Sequence, residues 1–155
     1  MRTTSIAALI TALLASSAAL ADSNSDFLSA NAKKPGVKVV AGGLQYKVIK
    51  TGHGAKPGST DCATVNYKGS FPDGRVFDES KPGEPITFPV QRVIKGWTMA
   101  LQMMHEGDQW QLVIPSTLGY GDMGTPGGPI PPGATLVFDV ELLKVSKSKM
   151  GRCPA

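Results

Sequence analysis

The chain has 155 residues, 41% hydrophobic and 18% charged, with a formal net charge of +4 at neutral pH. That length suffices for one domain with its own core, and so small a positive excess gives no argument for nucleic-acid binding. The C-terminal cations Lys144, Lys147, Lys149 and Arg152 read as a solvated tail rather than a phosphate-binding patch.

Residues 1–21 read as a signal peptide outside the fold. Arg2 starts it, residues 6–20 are apolar, and Ala19-Leu20-Ala21 before Asp22 fits an A-x-A cleavage site. The run is shorter than the ~20 residues needed to span a bilayer and no second one follows, so export without a membrane anchor is expected. The C-terminal Arg152-Cys153-Pro154-Ala155 is no retention signal. Residues 22–42, rich in Ser, Asn, Ala, Lys and Gly, read as a flexible leader, followed by a domain over 43–146 and a tail over 147–155.

Alternation of Leu44, Tyr46 and Val48 with polar neighbours predicts a strand over 44–50. A second strand covers 63–67, and Pro72-Asp73-Gly74 turns the chain into a returning strand over 75–78, a hairpin. A short strand at 86–88 precedes one amphipathic helix over 95–104, which places Trp97, Leu101 and Met104 on one face. Gly107 stands where a C-cap would be. Strands follow over 109–115, through Trp110, Leu112 and Ile114, and over 135–142, through Leu136, Phe138, Val140 and Leu142. A long loop rich in Gly and Pro separates them. The pattern is α+β: an antiparallel sheet of about five strands with one short helix on its apolar face.

Ala63, Val65 and Tyr67 share one face of their strand, so Cys62 falls on the other, with Thr64 and Asn66. After export Cys62 and Cys153 meet an oxidising compartment. An intramolecular bridge pinning the tail to the sheet is expected; two free or intermolecular thiols are the alternative.

Gly119-Tyr120-Gly121-Asp122-Met123-Gly124 has the spacing of a dinucleotide loop, but Pro126, Pro129, Pro131 and Pro132 forbid the helix such a site requires. His53 and His105 have no zinc-ligand spacing and no nucleophile to serve. No metal and no cofactor are expected. What remains between residues 65 and 138 is a scatter of aromatic and branched residues among turns. Singly, Trp97, Val93 and Phe138 read first as core residues, and Asp78 as a solvated carboxylate at a strand end. Tyr67 and Tyr120 each precede a turn or loop where a hydroxyl reaches a ligand.

Taken in order, Val65-Asn66-Tyr67-Lys68-Gly69, the run from Asp73 to Ser80, Val93-Ile94-Lys95-Gly96-Trp97, Ile114-Pro115 with Tyr120-Gly121, Ile130-Pro131-Pro132 and Ala134 to Leu142 are similar to the FKBP family of peptidyl-prolyl isomerases. The resemblance runs from about residue 43 to 145. The helix phrase from Gly96 to Met104 with Glu106-Gly107-Asp108 looks most like its secreted, Mip-like branch. The resemblance implies a half-wrapped sheet around one helix with a pocket between them. Trp97 would form the floor under a prolyl ring, and Tyr67, Phe77, Val93, Ile94 and Phe138 the walls. The Tyr120 hydroxyl and the Ile130 N–H would hold the substrate chain, and Asp78 would orient the pocket tyrosines. Ile86 stands for a common pocket phenylalanine, and the usual arginine partner of the aspartate is absent, with only Lys81 nearby. Proline-containing polypeptides would be the partners, macrolides the inhibitors. Residues 22–42 leave no room for a long dimerisation arm, so a monomer is expected. The alternative is a non-catalytic module or chaperone that uses the same groove.

Overall fold

A computed structural model describes residues 15–155. In chain order its elements are helix α1 (Ala15–Ala32), strands β1 (Val37–Val39), β2 (Gln45–Lys50), β3 (Asp61–Ser70), β4 (Val76–Glu79) and β5 (Ile86–Pro89), helix α2 (Lys95–Leu101), and strands β6 (Gln109–Ile114) and β7 (Leu136–Lys147). The strands form one antiparallel sheet in the order β1-β2-β6-β7-β3-β4, with β5 also paired to β3. The class is α+β as expected, with seven strands rather than about five. The hairpin β3–β4 and the alternating strands β6 and β7 stand where periodicity placed them, and Leu136, Phe138, Val140 and Leu142 are all buried.

The largest departure is at the start. Residues 1–14 of the expected signal peptide lie outside the described residues, and α1 runs through the expected cleavage point after Ala21. Residues 22–42, expected to form a flexible leader, hold the rest of α1 and the edge strand β1. Side-chain chemistry ties them down. Asn31 Nδ2 donates to Gln45 Oε1 at 2.8 Å, and Gln45 Nε2 donates to the Leu28 carbonyl at 2.8 Å. Both amides are buried, so each satisfies a polar group that would otherwise be stranded. Among the described residues no helix is long and apolar enough to cross a membrane.

Helix α2 lies on the inner face of the sheet, and Gly96 sets the distance. A methyl group at that position would sit 2.8 Å from Ile114 Cγ2, so only glycine lets the helix rest this close to β6. The helix ends three residues before the expected stop, where the Met103 and Met104 N–H groups both turn back to the Ala100 carbonyl. Trp97, Leu101 and Met104 are nonetheless all buried, as their spacing required. Gly107 is not a C-cap. It belongs to the following turn, at φ 93°, with its N–H on the Leu142 carbonyl.

Cys62 and Cys153 form a disulfide with Cα atoms 5.7 Å apart. Cys62 is fully buried rather than facing solvent, because its strand is flanked by both β5 and β7 at that point and the bonded tail adds cover.

Candidate active site

The sheet curls around α2 and leaves a cavity of about 450 Å³ at one end. Every side of it is supplied by a different stretch of chain: Tyr67 from β3, Phe77 and Asp78 from β4, Phe88 from β5, Arg92, Val93 and Ile94 from the turn before α2, Trp97 from α2, Tyr120 from the long loop, and Phe138 from β7.

Trp97 is the floor. It is 4% exposed and meets three rings edge to face: Tyr67 at 5.3 Å between centroids, Phe138 at 5.3 Å and Phe88 at 5.7 Å. Phe77 stands perpendicular to Phe138 at 5.5 Å. Such edge contacts contribute about 0.5–1.5 kcal/mol each beyond buried area, so the rings hold one another in fixed orientations. The Trp97 indole N–H has no acceptor among the described residues, which leaves ring packing to hold the floor.

Polar chemistry in the cavity is confined to a few groups. The Tyr67 hydroxyl donates to Asp78 Oδ2 at 2.8 Å. Burial, then the Asp78 carboxylate, pushes the Tyr67 phenol up to about 12, so it stays a neutral donor across ordinary pH. Tyr120 is 40% exposed at the mouth, with its hydroxyl uncommitted among the described residues. Nothing here resembles a poised acid and base or an activated nucleophile. Among the described residues no group of three or more His, Cys, Asp or Glu side chains is placed to hold a metal.

Eight of the ten expected site residues line this cavity: Tyr67, Phe77, Asp78, Val93, Ile94, Trp97, Tyr120 and Phe138. Two do not. Ile86 is 37% exposed at the outer end of β5, opposite Val65, and Phe88 two residues on supplies the ring instead, opposite Ala63. Ile130 is 4% exposed in the core, and its N–H already donates to Thr125 Oγ1 at 2.9 Å. Phe88 was within reach of sequence reasoning, because it shares the Ile86 face by alternation. Arg92 was not: it ends a single 3-10 turn, Val90–Arg92, that no periodicity signals. Asp78 has no cationic partner within ion-pair distance among the described residues.

Comparison with known proteins supplies a family. The sequence model described as FKBP-type peptidyl-prolyl cis-trans isomerase matches residues 54–143, and that of a domain amino terminal to such isomerases matches residues 6–48. The outer membrane protein MIP of Legionella longbeachae is 51% identical over 123 residues, 79% of this chain and 52% of its own. The crystal structure of FkpA from Escherichia coli superposes with a TM-score of 0.81 at 42% identity, over 88% of this chain and 63% of that one. That of a peptidyl-prolyl cis-trans isomerase from Pseudomonas syringae pv. tomato gives 0.79 at 40% identity, over 84% and 96%. The chain spans about half the length of the curated relatives it matches. On the match over residues 54–143 and the shared fold, the chain belongs to the FKBP-type peptidyl-prolyl cis-trans isomerases.

Proposed function

We propose that this domain accelerates rotation about the peptide bond preceding proline in exported polypeptides. The observation that carries the reading is the Trp97 floor, walled by Tyr67, Phe77, Phe88 and Phe138, in a cavity sized for a prolyl ring and its neighbours.

Uncatalysed rotation takes tens to hundreds of seconds because amide resonance sets a barrier of ~18–20 kcal/mol. In the twisted state that resonance is gone, and the carbonyl oxygen carries less negative charge than in the planar amide. A dry aromatic surface therefore favours the twisted form over the hydrated ground state. The floor fixes the ring while donors at the rim hold the flanking chain, which adds orientation. Tyr120 is one such donor. Ile94 is the second: its N–H meets no acceptor among the described residues, whereas that of Ile130 is taken by Thr125. No proton moves and no covalent bond forms.

Export agrees with the Cys62–Cys153 bridge, which an oxidising compartment forms and preserves. An apolar cavity of this size also accommodates part of a macrolide ring, which a titration followed by Trp97 fluorescence in a Trp110→Phe background would register.

The deciding experiment is a protease-free isomerisation assay on short X-Pro peptides with wild type, Asp78→Ala and Phe77→Ala. Clear acceleration by wild type and slower rates for both variants are expected. Uncatalysed rates for all three, with binding of proline peptides retained, would leave a non-catalytic binding module.

A further inference from the structure

We infer that Arg92 tunes this cavity toward peptides carrying a carboxylate on a residue flanking the proline; the inference rests on the isomerase reading above. Among the described residues lining the cavity, Arg92 is the only cation. It closes the turn directly before Val93 and Ile94, so its backbone is held at the wall while its side chain is exposed. No carboxylate among the described residues lies within ion-pair distance of its guanidinium. The one carboxylate of the lining, Asp78, is engaged by the Tyr67 hydroxyl. An unpartnered guanidinium on an otherwise apolar rim presents a forked donor that a carboxylate fits and an ammonium is repelled by.

The C-terminal tail strengthens the arrangement. Lys149 and Arg152 exchange backbone hydrogen bonds of 2.9 and 3.0 Å around Met150 and Gly151, which stand at φ 51° and 74°. Cys153 ties this tight turn to Cys62. A methyl group at Gly151 would lie 3.6 Å from an Nη of Arg92, so the tail backbone runs alongside the guanidinium. The bridge thus braces Arg92 with a side-chain-free residue.

The test is kcat/KM on peptides Ala-Xaa-Pro-Phe with Xaa Leu, Gln or Glu, and on a second set with Gln or Glu directly after the proline. For wild type at low salt, Glu should exceed Gln by about two- to fivefold at one of these positions, the size of an exposed ion pair. The ratio should fall to about one in high salt and in Arg92→Gln, and drop below one in Arg92→Glu. A wild-type ratio of one at both positions overturns the assignment, as does a Glu preference that persists in Arg92→Gln. Failure to accelerate even the leucine peptide would strike the isomerase reading itself, a result distinct from catalysis without charge preference.

Discussion

Tyr67 and Asp78 join β3 to β4 through a hydroxyl–carboxylate hydrogen bond of 2.8 Å at the wall of the cavity. Burial is the larger cause of the raised Tyr67 pKa, with the Asp78 bond second. Asp78→Ala should therefore bring Tyr67 from about 12 only part of the way toward its ordinary ~10. Phenolate absorbance, differenced against Tyr67→Phe, reads this directly. The sign follows for stability: the unfolded phenol ionises near ~10 and the folded one near about 12, so this contribution is complete below the first value and lost as pH rises through the second. Wild type should lose stability above pH ~10 more steeply than Tyr67→Phe does. Loss of the bond should also slow isomerisation by about two- to tenfold, the ordinary worth of one hydrogen bond.

Gly69 controls how two of the pocket rings approach. A methyl group there would fall 2.6 Å from Phe138 Cε1 and 2.7 Å from Phe77 Cζ, closer than any relaxed contact. Both rings belong to the perpendicular pair at the cavity wall, so neither can retreat without moving the site. Gly69→Ala should cost about 1–3 kcal/mol in urea denaturation and lower kcat/KM together with it, as overpacking does. Unchanged stability would mean that the wall yields freely.

Much of this was legible in the residues. Strict alternation in 135–142 and the 3.6-residue spacing of Trp97, Leu101 and Met104 each have one burial solution, and the structure adopts both. The turn residues Pro72-Asp73-Gly74 likewise allow little besides a hairpin. What escaped depends on partners distant in sequence. β1 is three residues long and exists because β2 offers it an edge; the Asn31–Gln45 pair that anchors α1 has no periodic mark. The choice between Ile86 and Phe88 rests on strand register, which sequence alternation leaves free by two residues.

That register makes a discriminating pair of variants. Phe88→Ala removes a ring that touches both Trp97 and Tyr67, and should cost about 3–5 kcal/mol if fully felt as a core truncation. Phe88→Leu, which removes the ring but keeps much of the apolar bulk, should lower kcat/KM while the protein remains folded. Ile86→Ala, at a position outside the cavity, should change kcat/KM by less than about twofold, as surface substitutions do. Equal losses from Phe88→Leu and Ile86→Ala would put the register in error.

Asp61 is a buried carboxylate that accepts the Gly58 N–H at 2.9 Å and Lys147 Nζ at 2.9 Å. The Gly58 bond, then Lys147, lowers its pKa below the ordinary value. A depressed carboxylate stabilises above its unfolded pKa of ~3.9, and that stabilisation is lost as pH falls through the folded value. Asp61→Asn should destabilise at neutral pH and approach wild type in acid. Lys147 is 86% exposed, so Lys147→Ala should cost no more than about 0.5 kcal/mol. A large loss from the lysine variant would reverse this ranking of causes.

The disulfide joins residues 91 apart in sequence, from Cys62, the second residue of β3, to Cys153, two residues before Ala155. Its main effect is on the unfolded chain, where removing so long a loop constraint restores considerable entropy. For comparable bridges the loss is ~2–4 kcal/mol. The paired variant Cys62→Ser with Cys153→Ser should therefore lower the unfolding free energy by about that amount, and the urea midpoint with it. The denaturant slope should rise as well, because the uncrosslinked chain exposes more surface on unfolding. A lowered midpoint with an unchanged slope would instead place the effect in the folded state, at the buried Cys62 site between β5 and β7, where two hydroxyls replace a dry sulfur bridge.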